Sequence, residues 1–85
     1  MIWDIRISKG VKSFLKKHPE LAPKVFEIIE TLARDPFNNN LDIKKIKGSL
    51  AEYHVRFGKY RIVYELDHDY KVIDFTKADT RGDIY

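Results

Sequence analysis

The sequence predicts an α+β domain: an N-terminal strand, a helical hairpin, then a three-stranded antiparallel meander, with the helices packed on one face of the sheet. Three observations lead there. Side chains alternate in character through Tyr53-His54-Val55-Arg56-Phe57 and Tyr60-Arg61-Ile62-Val63-Tyr64, the period of a strand with one buried face. Upstream, Leu21, Val25, Ile28, Ile29 and Leu32 recur at the i, i+4, i+7, i+8, i+11 spacing of a buried helical stripe. Finally, the 85 residues suit one domain, 1–85, which at this size buries about 60 to 65% of the surface its unfolded chain exposes.

The elements follow in order. Residues 2 to 7 read as a strand with Trp3, Ile5 and Ile7 on one face. Ser8 is a natural N-cap for a helix over residues 9 to 17 that turns Val11, Phe14 and Leu15 to the core. His18-Pro19 ends it, because the residue before proline resists helical geometry. A second helix runs from about Glu20 to Arg34, with Pro23 tolerated in its first turn. Asp35-Pro36-Phe37-Asn38-Asn39-Asn40 is a breaker cluster, and the segment onward to Gly48 reads as a loop that carries Lys44, Lys45 and Lys47 between Ile43, Ile46 and Leu50.

Gly58-Lys59 suits a two-residue hairpin turn with glycine first. Phe57 then faces Tyr60, Arg56 faces Arg61 and His54 faces Val63. Tyr53, Val55, Phe57, Tyr60, Ile62 and Tyr64 share the core face, and His54, Arg56 and Arg61 project from the other, open face. A turn at Asp67-His68-Asp69 leads to a last strand from Tyr70 to about Lys77. Tyr64 is expected opposite Ile73 and Ile62 opposite Phe75, which sets Thr76 beside Arg61 and Asp74 beside Val63.

Composition limits the function. No apolar run approaches the roughly 20 residues needed to span a membrane, and the charged, alternating start is no signal peptide, so a cytoplasmic protein is expected. With no cysteine, and with His18, His54 and His68 lacking paired spacing, neither a metal nor another cofactor is expected. The net charge of +3 is modest, but its distribution is not uniform. From Lys44 to Arg61 the chain carries Lys44, Lys45, Lys47, Arg56, Lys59 and Arg61 against the single acid Glu52. Facing arginines on a sheet repel by a few tenths of a kcal/mol up to roughly 1, a cost that a bound phosphate would relieve. Arg56 alternatively pairs with Glu52 or Glu65.

Four segments arrive together: Ile43-Lys44-Lys45-Ile46-Lys47-Gly48, Tyr53-His54-Val55-Arg56, Gly58-Lys59-Tyr60-Arg61-Ile62-Val63-Tyr64 and Arg81-Gly82-Asp83-Ile84-Tyr85. In this order they resemble the RelE/ParE superfamily of toxins over essentially the whole chain, with the tail favouring its RelE branch. The resemblance implies the toxin of a type II toxin–antitoxin system, a ribosome-dependent endoribonuclease neutralised by a RelB-like antitoxin. In such enzymes the 2'-hydroxyl of the messenger RNA attacks the adjacent phosphate without a metal. Arg61 matches the family's phosphate-binding arginine, Arg81 its C-terminal basic residue and Tyr85 the tyrosine that stacks on the cut nucleotide. His54 and Arg56 fall where RelE has two lysines, which casts neutral His54 as the general base and Arg56 as a second phosphate ligand. Lys44, Lys45, Lys47 and Lys59 are expected to contact RNA or the ribosome. A ParE-like inhibitor of DNA gyrase, or a degenerate member that only binds RNA or antitoxin, shares the fold. The catalytic reading depends on Arg56 and Arg61 pointing outward and remaining unclaimed by neighbouring acids.

Overall fold

Local sequence signals start and stop each element in the computed structural model, which describes residues 2–37, 39–48 and 51–80. Strand β1 (Asp4–Ile7) leads into helix α1 (Lys9–Lys17). As expected, Ser8 caps α1, its hydroxyl accepting from the Val11 amide at 3.2 Å. After His18 the chain makes a short 3-10 turn (Pro19–Leu21) before α2 (Ala22–Arg34), so α2 starts two residues later than its expected start at Glu20. Proline is the reason: Pro19 and Pro23 have no amide proton to donate, and the Leu21 amide reaches back only three residues to the His18 carbonyl, at 2.9 Å.

Four more strands follow: β2 (Asp42–Lys45), β3 (Glu52–Phe57), β4 (Tyr60–Asp67) and β5 (Val72–Thr80). The sheet order is β1-β5-β4-β3-β2, antiparallel except where β1 runs parallel to β5. The meander β3-β4-β5 is therefore extended by an edge strand on each side. β2 lies in the segment expected to be a loop. Its lysines on both faces hide the alternation, and charge of this kind is a common way to blunt a sheet edge.

Helices and sheet enclose one core. Val11 and Phe14 from α1, and Val25, Ile28, Ile29 and Leu32 from α2, pack on Val55, Phe57, Ile62, Tyr64, Leu66, Ile73 and Phe75. Burying a side chain of this size stabilises by about 1.5–3 kcal/mol, as an upper bound. Tyr53 and Tyr60 pack against this cluster as core aromatics, and the Tyr53 ring stacks on Tyr64 at 5.6 Å.

The β3–β4 register is as the sequence predicts: Phe57 pairs with Tyr60, Arg56 with Arg61 and His54 with Val63. The β4–β5 register differs. Tyr64 pairs with Phe75 and Leu66 with Ile73, a two-residue shift from the expected pairing. The connection runs two residues further on its far side than the expected turn, so that β5 starts at Val72 and not at Tyr70, with Asp67 accepting from the amides of Asp69 and Tyr70 at 3.1 Å and Lys71 at φ 54°. A bulge then interrupts the ladder at Val63/Tyr64, so Val63 pairs with Lys77 and Arg61 with Asp79 instead of Thr76.

Candidate functional site

On the face away from the helices, register aligns side chains in ranks across the strands. One rank reads Asp42, Arg56, Arg61, Asp79 from β2 to β5. The next reads Lys44, His54, Val63, Lys77. The β3–β4 hairpin thus gathers His54, Arg56 and Arg61 as its alternation demands, and the edge strand adds Asp42 and Lys44.

Arg56 fails the condition on which the catalytic reading depends, since Asp42 claims it, and Arg61 meets it only in facing away from the helices, since it is buried. Arg56 is held side-on by Asp42, with Nε to Oδ2 and Nη2 to Oδ1 both at 3.0 Å. Its acidic partner is therefore neither Glu52 nor Glu65. Arg61 projects from the expected face but is only 2% exposed, beside His54 at 1%. Its Nη1 lies 3.1 Å from His54 Nδ1. A guanidinium only donates, so Nδ1 is the acceptor and carries no proton. The mutual repulsion of Arg56 and Arg61 is therefore relieved inside the protein, by a carboxylate on one and a neutral imidazole on the other. It does not by itself call for a bound anion.

Burial, then Arg61, Arg56 and Lys44, hold the His54 pKa below its ordinary 6.5, with Asp42 opposing. His54 is consequently neutral at pH 7, the protonation state that a general base requires. Its Nδ1 lone pair is nevertheless occupied by Arg61 in this arrangement. Tyr64, on the core face, has a phenol pushed upward by burial and by Tyr53, and it stays protonated. Among the described residues no cluster of three His, Cys, Asp or Glu side chains forms a metal site.

Comparison with known proteins identifies the scaffold. Over 87 aligned positions, covering 100% of this chain and 97% of the relative, the sequence is 38% identical to the Methanocaldococcus jannaschii protein named "Putative toxin RelE1". The chain belongs to the RelE toxin family. No protein-family model matches it, but solved structures agree. The RelE–RelB complex from Pyrococcus horikoshii OT3 is similar over 96% of this chain and 98% of that one, at 28% identity and a TM-score of 0.83. The RelB–RelE antitoxin–toxin complex from Methanococcus jannaschii is similar over 94% of both chains, at 34% identity and a TM-score of 0.77.

In this RelE toxin the expected site residues are only partly gathered. His54, Arg56, Arg61 and Lys44 share the outer face. Lys45 pairs with Tyr53 and therefore sits on the helix-facing side of the edge strand. Lys47 lies in the turn after β2, and Lys59, at the hairpin tip, sets its ammonium 5.8 Å from the Tyr60 ring centre. Arg81 and Tyr85 lie outside the described residues. Asp42, Lys77 and Asp79 join the two ranks without a signal in the sequence. Asp42 was hidden with its unrecognised strand, and the other two by the bulge.

Proposed function

We propose that this RelE toxin cuts messenger RNA on the ribosome, in the cytoplasm, and is neutralised by a RelB-like antitoxin. The observation that carries the reading is the neutral His54 held against Arg61 on one sheet face and flanked by Lys44 and Lys77, in a chain of this family. In the reaction the 2'-oxygen bonds to phosphorus while the bond to the 5'-oxygen breaks. One proton leaves the 2'-hydroxyl and another is delivered to the departing 5'-oxygen.

Arg61 is the proposed ligand of the scissile phosphate, where a desolvated donor can contribute about 2.7–4 kcal/mol to the transition state. A phosphate that takes over Arg61 Nη1 releases the Nδ1 lone pair of His54 to accept the 2'-hydroxyl proton, so substrate binding itself would ready the base. Arg56 contributes through its remaining edge: the Asp42 bridge occupies Nε and Nη2, which leaves the Nη1 donors for a second phosphate oxygen. Arg81 or Tyr85 serves the leaving oxygen.

For the antitoxin, Phe26 on α2 and Ile5 on the edge strand β1 are exposed apolar side chains, and the P. horikoshii and M. jannaschii structures are complexes with RelB. The test is cleavage of message in programmed ribosomes. Wild-type protein should cut in the A site and Arg61→Ala should reduce cutting by about 10²-fold or more with the fold retained. Cutting that survives Arg61→Ala, or growth arrest with undisturbed cell-free translation and inhibited gyrase supercoiling, would refute it.

A further inference from the structure

At the end of the outer face that holds His54, the exposed cations are not Arg56 and Arg61. Arg61 is buried and Arg56 is bridged to Asp42. Lys44 and Lys77, by contrast, are both exposed and make no ion pair among the described residues. They close the two ends of one rank, Lys44 beside His54 on β2 and Lys77 beside Val63 on β5. At one strand spacing per step they stand about 14 Å apart across the sheet.

Lys77 is there because of the bulge. Phe75 and Ile73 face the core, so unbroken alternation would send Lys77 to the core side as well. The bulge inserts Thr76 as an extra residue opposite Val63/Tyr64 and reverses the phase: Ala78 packs on the core, and Lys77 moves to the site face. Bulges commonly re-aim a side chain beside a functional site. This one is fastened in place, since the Ser8 hydroxyl donates to the Thr76 carbonyl at 2.9 Å and Thr76 Oγ1 donates to the Val63 carbonyl at 3.4 Å.

We propose that Lys44 and Lys77 form a two-sided clamp on the RNA backbone, gripping phosphates on either side of the His54–Val63 pair, with Lys77 as a binding residue for the message. The proposal rests on the ribosome-associated RNA reading given above. Lysine suits such a task as a mobile point charge that holds a backbone without reading sequence. Two flexible ammonium groups on either side of the His54–Val63 pair fit a single RNA strand laid over the sheet.

The experiment measures binding to ribosomes carrying a message whose A-site codon has 2'-deoxy sugars, so no cutting can occur, across a salt titration. Lys77→Ala should weaken binding roughly tenfold, which is about 1.4 kcal/mol, and lower the log–log salt slope by about 0.7, the value for one single-strand phosphate contact. Lys77→Arg should restore both, and Lys12→Ala on α1 should change neither. An unaltered slope for Lys77→Ala overturns the clamp. So does a loss confined to RelB-like antitoxin binding, which would make the site one for an acidic peptide, and so does failure of the wild-type protein to bind. Should wild-type bind with the expected Lys77 effects yet leave an all-ribose message uncut, the cleavage reading falls while the clamp stands.

Discussion

At the scale of single residues, His54 and Arg61 are the pair on which stability and the proposed chemistry meet. A neutral imidazole accepting from a buried guanidinium is stable only while it stays unprotonated, since an imidazolium would set two cations 3.1 Å apart. Burial and the neighbouring cations lower the His54 pKa in the folded chain from 6.5. Just below 6.5 the unfolded chain therefore binds more protons than the folded one. The pair's contribution to stability is complete above that value and is lost as pH falls through the lower folded-state pKa. Urea unfolding followed from about pH 7.5 down to about pH 5 should show this loss. In His54→Gln, whose amide oxygen can still accept from Arg61, the same descent should be shallower. Parallel pH profiles for the two proteins would show that His54 does not carry the effect.

At the scale of elements, Ser8 joins two features that sequence reasoning treats separately. Its hydroxyl accepts from the Val11 amide to cap α1 and donates to the Thr76 carbonyl inside the β5 bulge. Ser8→Ala should cost about 1–2 kcal/mol, the upper part of the range for a lost cap, read as a drop in the denaturant midpoint. It should also loosen the Thr76 region toward amide hydrogen exchange. A loss with no change around Thr76 would mean that the cap acts on α1 alone. The same bulge marks where the sequence stopped being legible. Within β3 and β4 a tight turn and a strict two-residue period leave only one register that buries Tyr64, Ile62 and Val55 together, so Arg56 opposite Arg61 could be read directly. A bulge adds a residue without altering composition, and nothing in Phe75-Thr76-Lys77-Ala78 announces it. Edge strand β2 was hidden for a different reason: Lys44 and Lys45 sit on opposite faces, so its pattern resembles a polar loop. The gathering of His54, Arg56 and Arg61 was therefore predictable, whereas their internal partners Asp42 and each other were not.

Across the whole molecule, the outer sheet face is electrically divided along the strands. The end holding Lys44, His54, Arg56, Arg61 and Lys77 is basic overall. The opposite end carries a rank of Arg6, Asp74, Glu65 and Glu52, in which Glu65 has a like charge as its register partner on both sides. Such pairs weaken a sheet by a few tenths of a kcal/mol each, yet they would repel the proposed RNA from that end and leave the lysine-flanked end to receive it. Stability and RNA placement should therefore separate in Glu65→Gln, which keeps the side-chain shape. It should raise unfolding free energy by about 0.3–1 kcal/mol at low salt. That gain should shrink at about 1 M salt, where the screening length falls to roughly 3 Å. Message cleavage should retain its dependence on Arg61, because Glu65 lies a full rank beyond His54. A destabilised Glu65→Gln protein, or a gain indifferent to salt, would mean that packing at this end, and not charge, sets its stability, and the division of the face would then have no energetic cost for selection to have tolerated.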